Sequence, residues 1–290
     1  MELKLLYRGP LSSCNYGCDY CPFAKRTESR AELASDEQAL ARFVTWLASQ
    51  RTHRFGLLFT PWGEGLIRRW YREAIVALSQ LEHVDKVAIQ TNLSAPLDWL
   101  GRARPERVGL WATYHPEWIT REKFLAQVRR ADAAGARISV GVVGFVQFAD
   151  EIAALRAQLP AHVYLWINAV KSGAGAQLYS PRTIARFEKI DPLFACNRVA
   201  HASAGRSCRA GESVFSVDGA GEMRRCHFIP GRIGNIYDAG WEAGLSRRAC
   251  TNDTCGCHIG YVHLEYLELD KVFGSGILER IPAQPLWQAQ

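Results

Sequence analysis

The chain reads as an α/β protein, and three observations carry that expectation. Short apolar runs rich in Val, Ile, Leu and Phe recur with amphipathic helical patterns between them, the texture of parallel strands covered by helices. The length, 290 residues, holds one large domain, or a large and a small one, with a substantial core. Hydrophobic residues make up 48% and charged residues 22%, which excludes disorder and a disulfide-stapled miniprotein.

Strands are expected near Leu3 to Tyr7, Phe55 to Thr60, Lys86 to Thr91, Val108 to Tyr114, Arg137 to Phe145 and Val163 to Val170. Between the first two, Ser35 with Gln38 predicts a capping box, after which Leu40, Phe43, Val44 and Leu47 share one helical face. Arg68 to Leu81 repeats the pattern with Trp70, Ala74, Ala77, Leu78 and Leu81, and Thr120 to Ala134 does so with Phe124, Val128 and Ala131. Pro181 after Ser180 suits the first turn of a further helix. Six strands alternating with helices fit an open doubly wound sheet or a partial barrel, and periodicity does not choose between them.

After about residue 195 the texture changes. Six of the nine cysteines lie between Cys196 and Cys257, among many glycines and short apolar runs. This predicts a division into residues 2–195 and a smaller module, 196–290, in which bound metal stands in for a hydrophobic core. The start carries no basic stretch followed by a long apolar one, and the most apolar later run, Ile138 to Phe148, is too short to span a bilayer. A cytoplasmic, soluble protein without a membrane partner is expected, where clustered cysteines serve as metal ligands or catalytic groups. Net charge is +6, but 28 of the 35 basic residues are arginine, a compositional habit, and charge alone does not argue for nucleic acid.

Cys14, Cys18 and Cys21 stand in Ser-Cys-Asn-Tyr-Gly-Cys-Asp-Tyr-Cys-Pro, a C-x3-C-x2-C spacing directly after the first strand. Three thiolates this close can wrap one iron-sulfur cluster and leave its fourth iron open for a substrate or cofactor. A structural zinc knot would want a fourth Cys or His nearby, and the nearest histidine is His53. With this spacing, the aromatic Tyr20 before the last cysteine and the place after strand one, the chain resembles the radical S-adenosylmethionine (SAM) superfamily. The resemblance implies a partial (β/α)6 TIM-type barrel and a 4Fe-4S cluster on Cys14, Cys18 and Cys21, with SAM chelating the open iron. It also implies a flavodoxin- or ferredoxin-type reductant, whose electron releases a 5'-deoxyadenosyl radical that takes hydrogen from substrate.

Further positions follow from the same resemblance. Trp62-Gly-Glu-Gly65 stands where the family carries Gly-Gly-Glu-Pro, so Gly63 and Glu64 match while Trp62 and Gly65 depart from the pattern. Gln90-Thr91-Asn92 resembles the Thr-Asn step after strand three. At the end of strand four, Thr113 is placed to meet the ribose and Arg121 the SAM carboxylate, while His115 reads as a hydrogen-bonded loop residue. Gly141-Val-Val143-Gly144 resembles the segment behind the adenine, and Asn168 or Lys171 on strand six is placed to meet SAM or substrate.

Cys208, Gly221 and Cys226 form C-x12-G-x4-C, which resembles the hairpin opening a SPASM or Twitch extension with an auxiliary 4Fe-4S cluster. Cys255 and Cys257 are the expected further ligands, with Cys250 as the alternative, although the full SPASM run of cysteines is missing. A zinc ribbon is the competing expectation, and His227, His258 and His263 are further candidate ligands. Cys196 reads as a buried thiol. The overall form resembles a group of small bacterial radical SAM proteins. The expected substrate is a peptide or small biosynthetic intermediate. RNA or nucleoside modification is the second expectation, and an electron-transfer or scaffold protein without SAM chemistry the third.

Overall fold

A computed structural model describes residues 1–23, 26–171 and 179–285. The first strand, β1 (Glu2–Arg8), alternates Leu3, Leu5 and Tyr7 on one face with Lys4, Leu6 and Arg8 on the other. There follow α1 (Arg30–Ser49), β2 (Arg54–Phe59), α2 (Arg69–Ser79), β3 (Val84–Thr91), β4 (Val108–Tyr114), α3 (Arg121–Ala133), β5 (Arg137–Val143), α4 (Ala149–Gln158), β6 (Leu165–Asn168) and α5 (Pro181–Ile190). The six strands pair in chain order and all in parallel. Each expected strand is present. Short 3-10 turns, Asp98–Arg102 and Pro105–Arg107, replace a helix between β3 and β4.

The start of α1 differs from the sequence expectation. The capping box is Ser29 with Glu32, not Ser35 with Gln38: the Ser29 hydroxyl accepts from the Glu32 amide, and the Glu32 carboxylate accepts from the Ser29 amide at 2.8 Å. Both serines satisfy the spacing. The earlier start leaves Asp36 inside the helix and buried, where its carboxylate accepts from the Leu11 amide and the Trp70 indole.

One sheet face packs on the helices through Leu5, Tyr7, Phe43, Phe59, Ile75 and Val140. The opposite face, with Leu6, Leu58, Ala88, Trp111 and Trp166, is filled by the last third of the chain, including Val214, Ile259, Leu264, Phe273 and Leu278. Residues 278–280 show how far the sheet curls. A side chain at Gly56 of β2 would strike Leu278, while the Arg280 guanidinium lies 4.4 Å from the Trp166 ring of β6. Strands two and six of a flat sheet lie about 19 Å apart, so consecutive residues reach both only because the sheet wraps around them as a partial barrel. Between them, Glu279 accepts from Lys86 and Arg137, and its carbonyl accepts from Ser139 at 2.6 Å. Arg280 has φ 57°, a left-handed conformation that a non-glycine residue keeps only where its surroundings hold it.

The segment after residue 195 is joined to the barrel. Val214–Asp218 pairs in parallel with the free edge of β1, and Glu222–Arg224 and Arg232–Asn235 extend the sheet antiparallel, giving nine strands among the described residues. Phe215, Val217, Met223 and Trp241 enter the helix-side core. The expectation of a core made by metal is corrected here: apolar packing spans this segment and the barrel alike. Among the described residues, no helix is long and apolar enough to cross a membrane.

Candidate active site at the strand ends

The loop between β1 and α1 carries Cys14, Cys18 and Cys21, and buried polar groups hold its course. Glu28 accepts from the Ser12 and Ser13 amides at 3.1 and 2.9 Å. The β2–α2 loop is laced to it: the Trp62 amide donates to the Leu11 carbonyl, and the Glu64 amide to the Ser13 carbonyl at 3.1 Å. Gly63 is required by this contact, since a Cβ there would stand 1.8 Å from the Ser13 carbonyl oxygen.

The three cysteines line one cavity of about 640 Å³, open at its mouth, whose wall also includes Gly63, Glu64, Asn92, Thr113 and His115. Burial raises the thiol pKa of Cys14 and Cys18, and Cys14 feels both Cys18 and Cys21. Three thiols on one wall, with room beside them, fit a cluster that takes each sulfur on a different iron. Among the described residues, no three His, Cys, Asp or Glu side chains converge as a single metal ion requires.

Glu64 lies in the wall, but its carboxylate is fully engaged. It accepts from the Asn92 amide at 2.5 Å, the Thr91 hydroxyl at 2.8 Å and the Leu66 amide at 2.9 Å. Its work is to clamp the end of β3 to the β2–α2 loop. Beside it Leu93, with φ 57°, makes the sharp turn that aims Asn92 inward. The Asn92 side-chain nitrogen lies 3.0 Å from Asn15 and 3.7 Å from the Cys14 sulfur. The Tyr20 hydroxyl meets His115 Nδ1 at 2.7 Å, and the Cys18 sulfur meets the same nitrogen at 3.4 Å. Burial lowers His115 to about 4, so the imidazole is neutral near pH 7.

Other expected residues lie elsewhere. Arg121 lies outside this cavity wall and pairs with Glu151 and Gln158. Val143 and Asn168 stand side by side at the ends of β5 and β6, outside this cavity wall. Gly141 admits the Trp166 ring, which a Cβ would meet at 2.0 Å. Lys171 donates to the Gly256 carbonyl.

The second cysteine set divides. Cys255, pushed up to about 12 by burial, feels Cys226, Cys257, Cys250 and Cys208, and Cys208 in turn feels Cys250 and Cys226. Cys257 has an open surface, yet the surrounding protein raises its pKa, and the charges it feels are Lys171, Arg280 and Arg8. Cys196 is half-buried against His201 at 3.5 Å. His227 meets the Thr60 hydroxyl at 3.0 Å, whereas both ring nitrogens of His258, and Nδ1 of His263, are buried without a hydrogen-bond partner. Sequence reasoning missed Arg8 and the 278–280 plug; the alternation of Lys4, Leu6 and Arg8 was the available signal for the first.

No known family profile matches the chain, and no curated protein matches it. Solved structures do. A hexahistidine-tagged anSMEcpe with bound AdoMet matches at 14% identity and a TM-score of 0.57, covering 86% of this chain and 81% of its own. Native anSMEcpe with bound AdoMet matches at 15% identity and 0.56, covering 83% and 80%. Native anSMEcpe with AdoMet and the Cp18Cys peptide matches at 14% and 0.54, covering 84% and 80%. The chain thus shares the α/β fold of these AdoMet-bound structures.

Proposed function

We propose that the chain is a radical SAM enzyme whose active site is the cavity at the strand ends. One observation carries this: Cys14, Cys18 and Cys21 share a single cavity with Gly63 and with Thr113 at the end of a parallel strand. Those cysteines hold a 4Fe-4S cluster in this reading and leave one iron for SAM. Bound together, the two supply one-electron chemistry able to take hydrogen from an unactivated carbon. The chain's own residues prepare the site. Glu64 fixes the Thr91–Asn92 step, and the Tyr20–His115 contact orients the Cys18 side of the loop. Phe23 and Trp62, with ring centroids 4.5 Å apart, stand at the mouth and limit water. Thr113, Val143 and Asn168 are the remaining candidates for contact with SAM.

Cys208, Cys226 and Cys255 each feel the charge of Cys250, which supports an auxiliary 4Fe-4S cluster on those four, while Cys257, felt by Cys255, is the alternative fourth ligand. A peptide or small biosynthetic intermediate is the proposed substrate, and the peptide bound by one anSMEcpe structure favours the first. The test is anaerobic iron-sulfur reconstitution, iron counting, and a dithionite assay for 5'-deoxyadenosine. About eight irons per chain are expected for two four-iron clusters, with SAM cleavage that Cys18→Ala abolishes. Irons without cleavage in the wild type would make the protein an electron carrier and end this proposal.

A further inference from the structure

Arg8 ends β1 on the face turned into the barrel, in a cavity of about 880 Å³ that it shares with Trp62, Ser216, Asp218, Arg224 and His227. Its Nε donates to the Thr60 carbonyl at 2.8 Å, and its guanidinium lies over the Trp62 ring, 4.0 Å from the centroid. These two contacts fix the plane of the fork. Among the described residues, its two Nη groups have no hydrogen-bond partner, and no carboxylate pairs with it.

The carboxylate opposite Arg8 in the register is Asp218, and it is already engaged. It accepts from Arg224 at 2.8 Å and from the Ala220 and Glu222 amides at 3.0 Å each. His227, the other titratable group of the wall, is engaged by the Thr60 hydroxyl at 3.0 Å. The recess therefore carries one cation that no carboxylate pairs with among the described residues, and its planar fork is oriented and open. Such a fork matches the paired oxygens of a carboxylate or phosphate, and stacking on an indole leaves that edge free to bind. Trp62 lines this cavity and the cysteine cavity both, so a group held by Arg8 lies next door to the cluster loop.

We propose that Arg8 is the anion anchor of the substrate site: the molecule on which this protein acts carries a carboxylate or phosphate, held by the Arg8 fork. The assignment to a substrate rests on the radical SAM proposal; the anion site itself does not.

The test uses the anaerobically reconstituted full chain, with inorganic phosphate and, separately, succinate as probes at constant ionic strength. In the wild type, phenylglyoxal modification is followed peptide by peptide. Saturating probe is expected to slow modification of Arg8 at least tenfold and to leave exposed Arg129 unchanged. By calorimetry, Arg8→Met and Arg8→Lys are each expected to weaken the probe at least tenfold. Protection by phosphate alone assigns a phosphoryl group, protection by succinate alone a carboxylate, and protection by both the shared oxyanion chemistry. Absence of protection by either probe on folded wild-type protein overturns the proposal without recourse to a variant. Protection without 5'-deoxyadenosine formation would keep the anion site and end the radical SAM proposal, whereas SAM cleavage without protection would end this inference alone.

Discussion

Glu279→Ala tests the plug in the barrel. The Glu279 side chain is 0% exposed, and two cations converge on one of its oxygens: Lys86, 11% exposed, and Arg137, 38% exposed. Removing the carboxylate leaves both unpaired, but not equally. Arg137 can turn toward water, whereas Lys86 is enclosed between β2 and β4, and burial already lowers its pKa despite Glu279. The loss is therefore that of breaking one buried pair, about 3–5 kcal/mol. Glu279→Gln keeps an acceptor and loses the charge, and is expected to cost about 2–3 kcal/mol. Glu268→Ala, which breaks the exposed pair with Lys271, serves as control and should cost no more than about 0.5 kcal/mol. Replacing both partners by apolar residues, Lys86→Met with Glu279→Leu, should recover most of the loss, since the desolvation of two charges goes with them. Urea unfolding followed by circular dichroism measures all four. A Glu279→Ala loss below about 1 kcal/mol at unchanged urea dependence would refute the view that this carboxylate neutralises a buried lysine.

Three further outcomes are expected. Glu64→Leu leaves the Asn92 and Leu66 amides without acceptors and should cost about 2–6 kcal/mol in urea unfolding, at about 1–3 for each stranded donor. His263 is lowered to about 3 by burial first and by Lys4 and Arg209 second. It stays neutral in the fold, so its contribution is present above the ordinary histidine pKa and is lost as pH falls from about 6.5 toward that lowered value. Its share of the slope reaches about 1.4 kcal/mol per pH unit, and His263→Phe should lower the slope by that share while the buried His115, His227 and His258 keep theirs. Finally, Cys250→Ser should remove about four irons from the reconstituted protein, one cluster's worth, while Cys257→Ser should remove none; the opposite pattern would reassign the ligands.

The strands were legible because each is a short apolar run between turn signals, and burial on both faces demands that pattern. The cysteine loop was legible because three cysteines within eight residues stand out in the sequence, and so short a loop brings all three to one cavity wall. The plug was not. Nothing in Ile277-Leu-Glu-Arg-Ile281 marks it as the occupant of a barrel, because its partners Lys86, Arg137, Trp111 and Trp166 come from strands far away in the chain. The direction of Arg121 was also hidden. Its first-turn position on α3 is compatible with either side of the strand ends, and Glu151, which decides it, belongs to α4, a helix with little amphipathic signal. Glu64 could be found by its motif, but only its three donors reveal that it braces the site.

The pairing of β1 with Val214–Asp218, together with the burial of residues 278–280, sets a timetable for synthesis. Strand β1 waits for one edge partner made more than two hundred residues later, and its inner face stays uncovered until then. Contacts of such sequence separation form slowly. A nascent chain stopped at residue 195 would present an unpaired strand edge and an apolar trough, both sites where chains stick to one another. Yield in a cell should therefore depend on chaperone supply and slow synthesis more than on the stability of the finished protein.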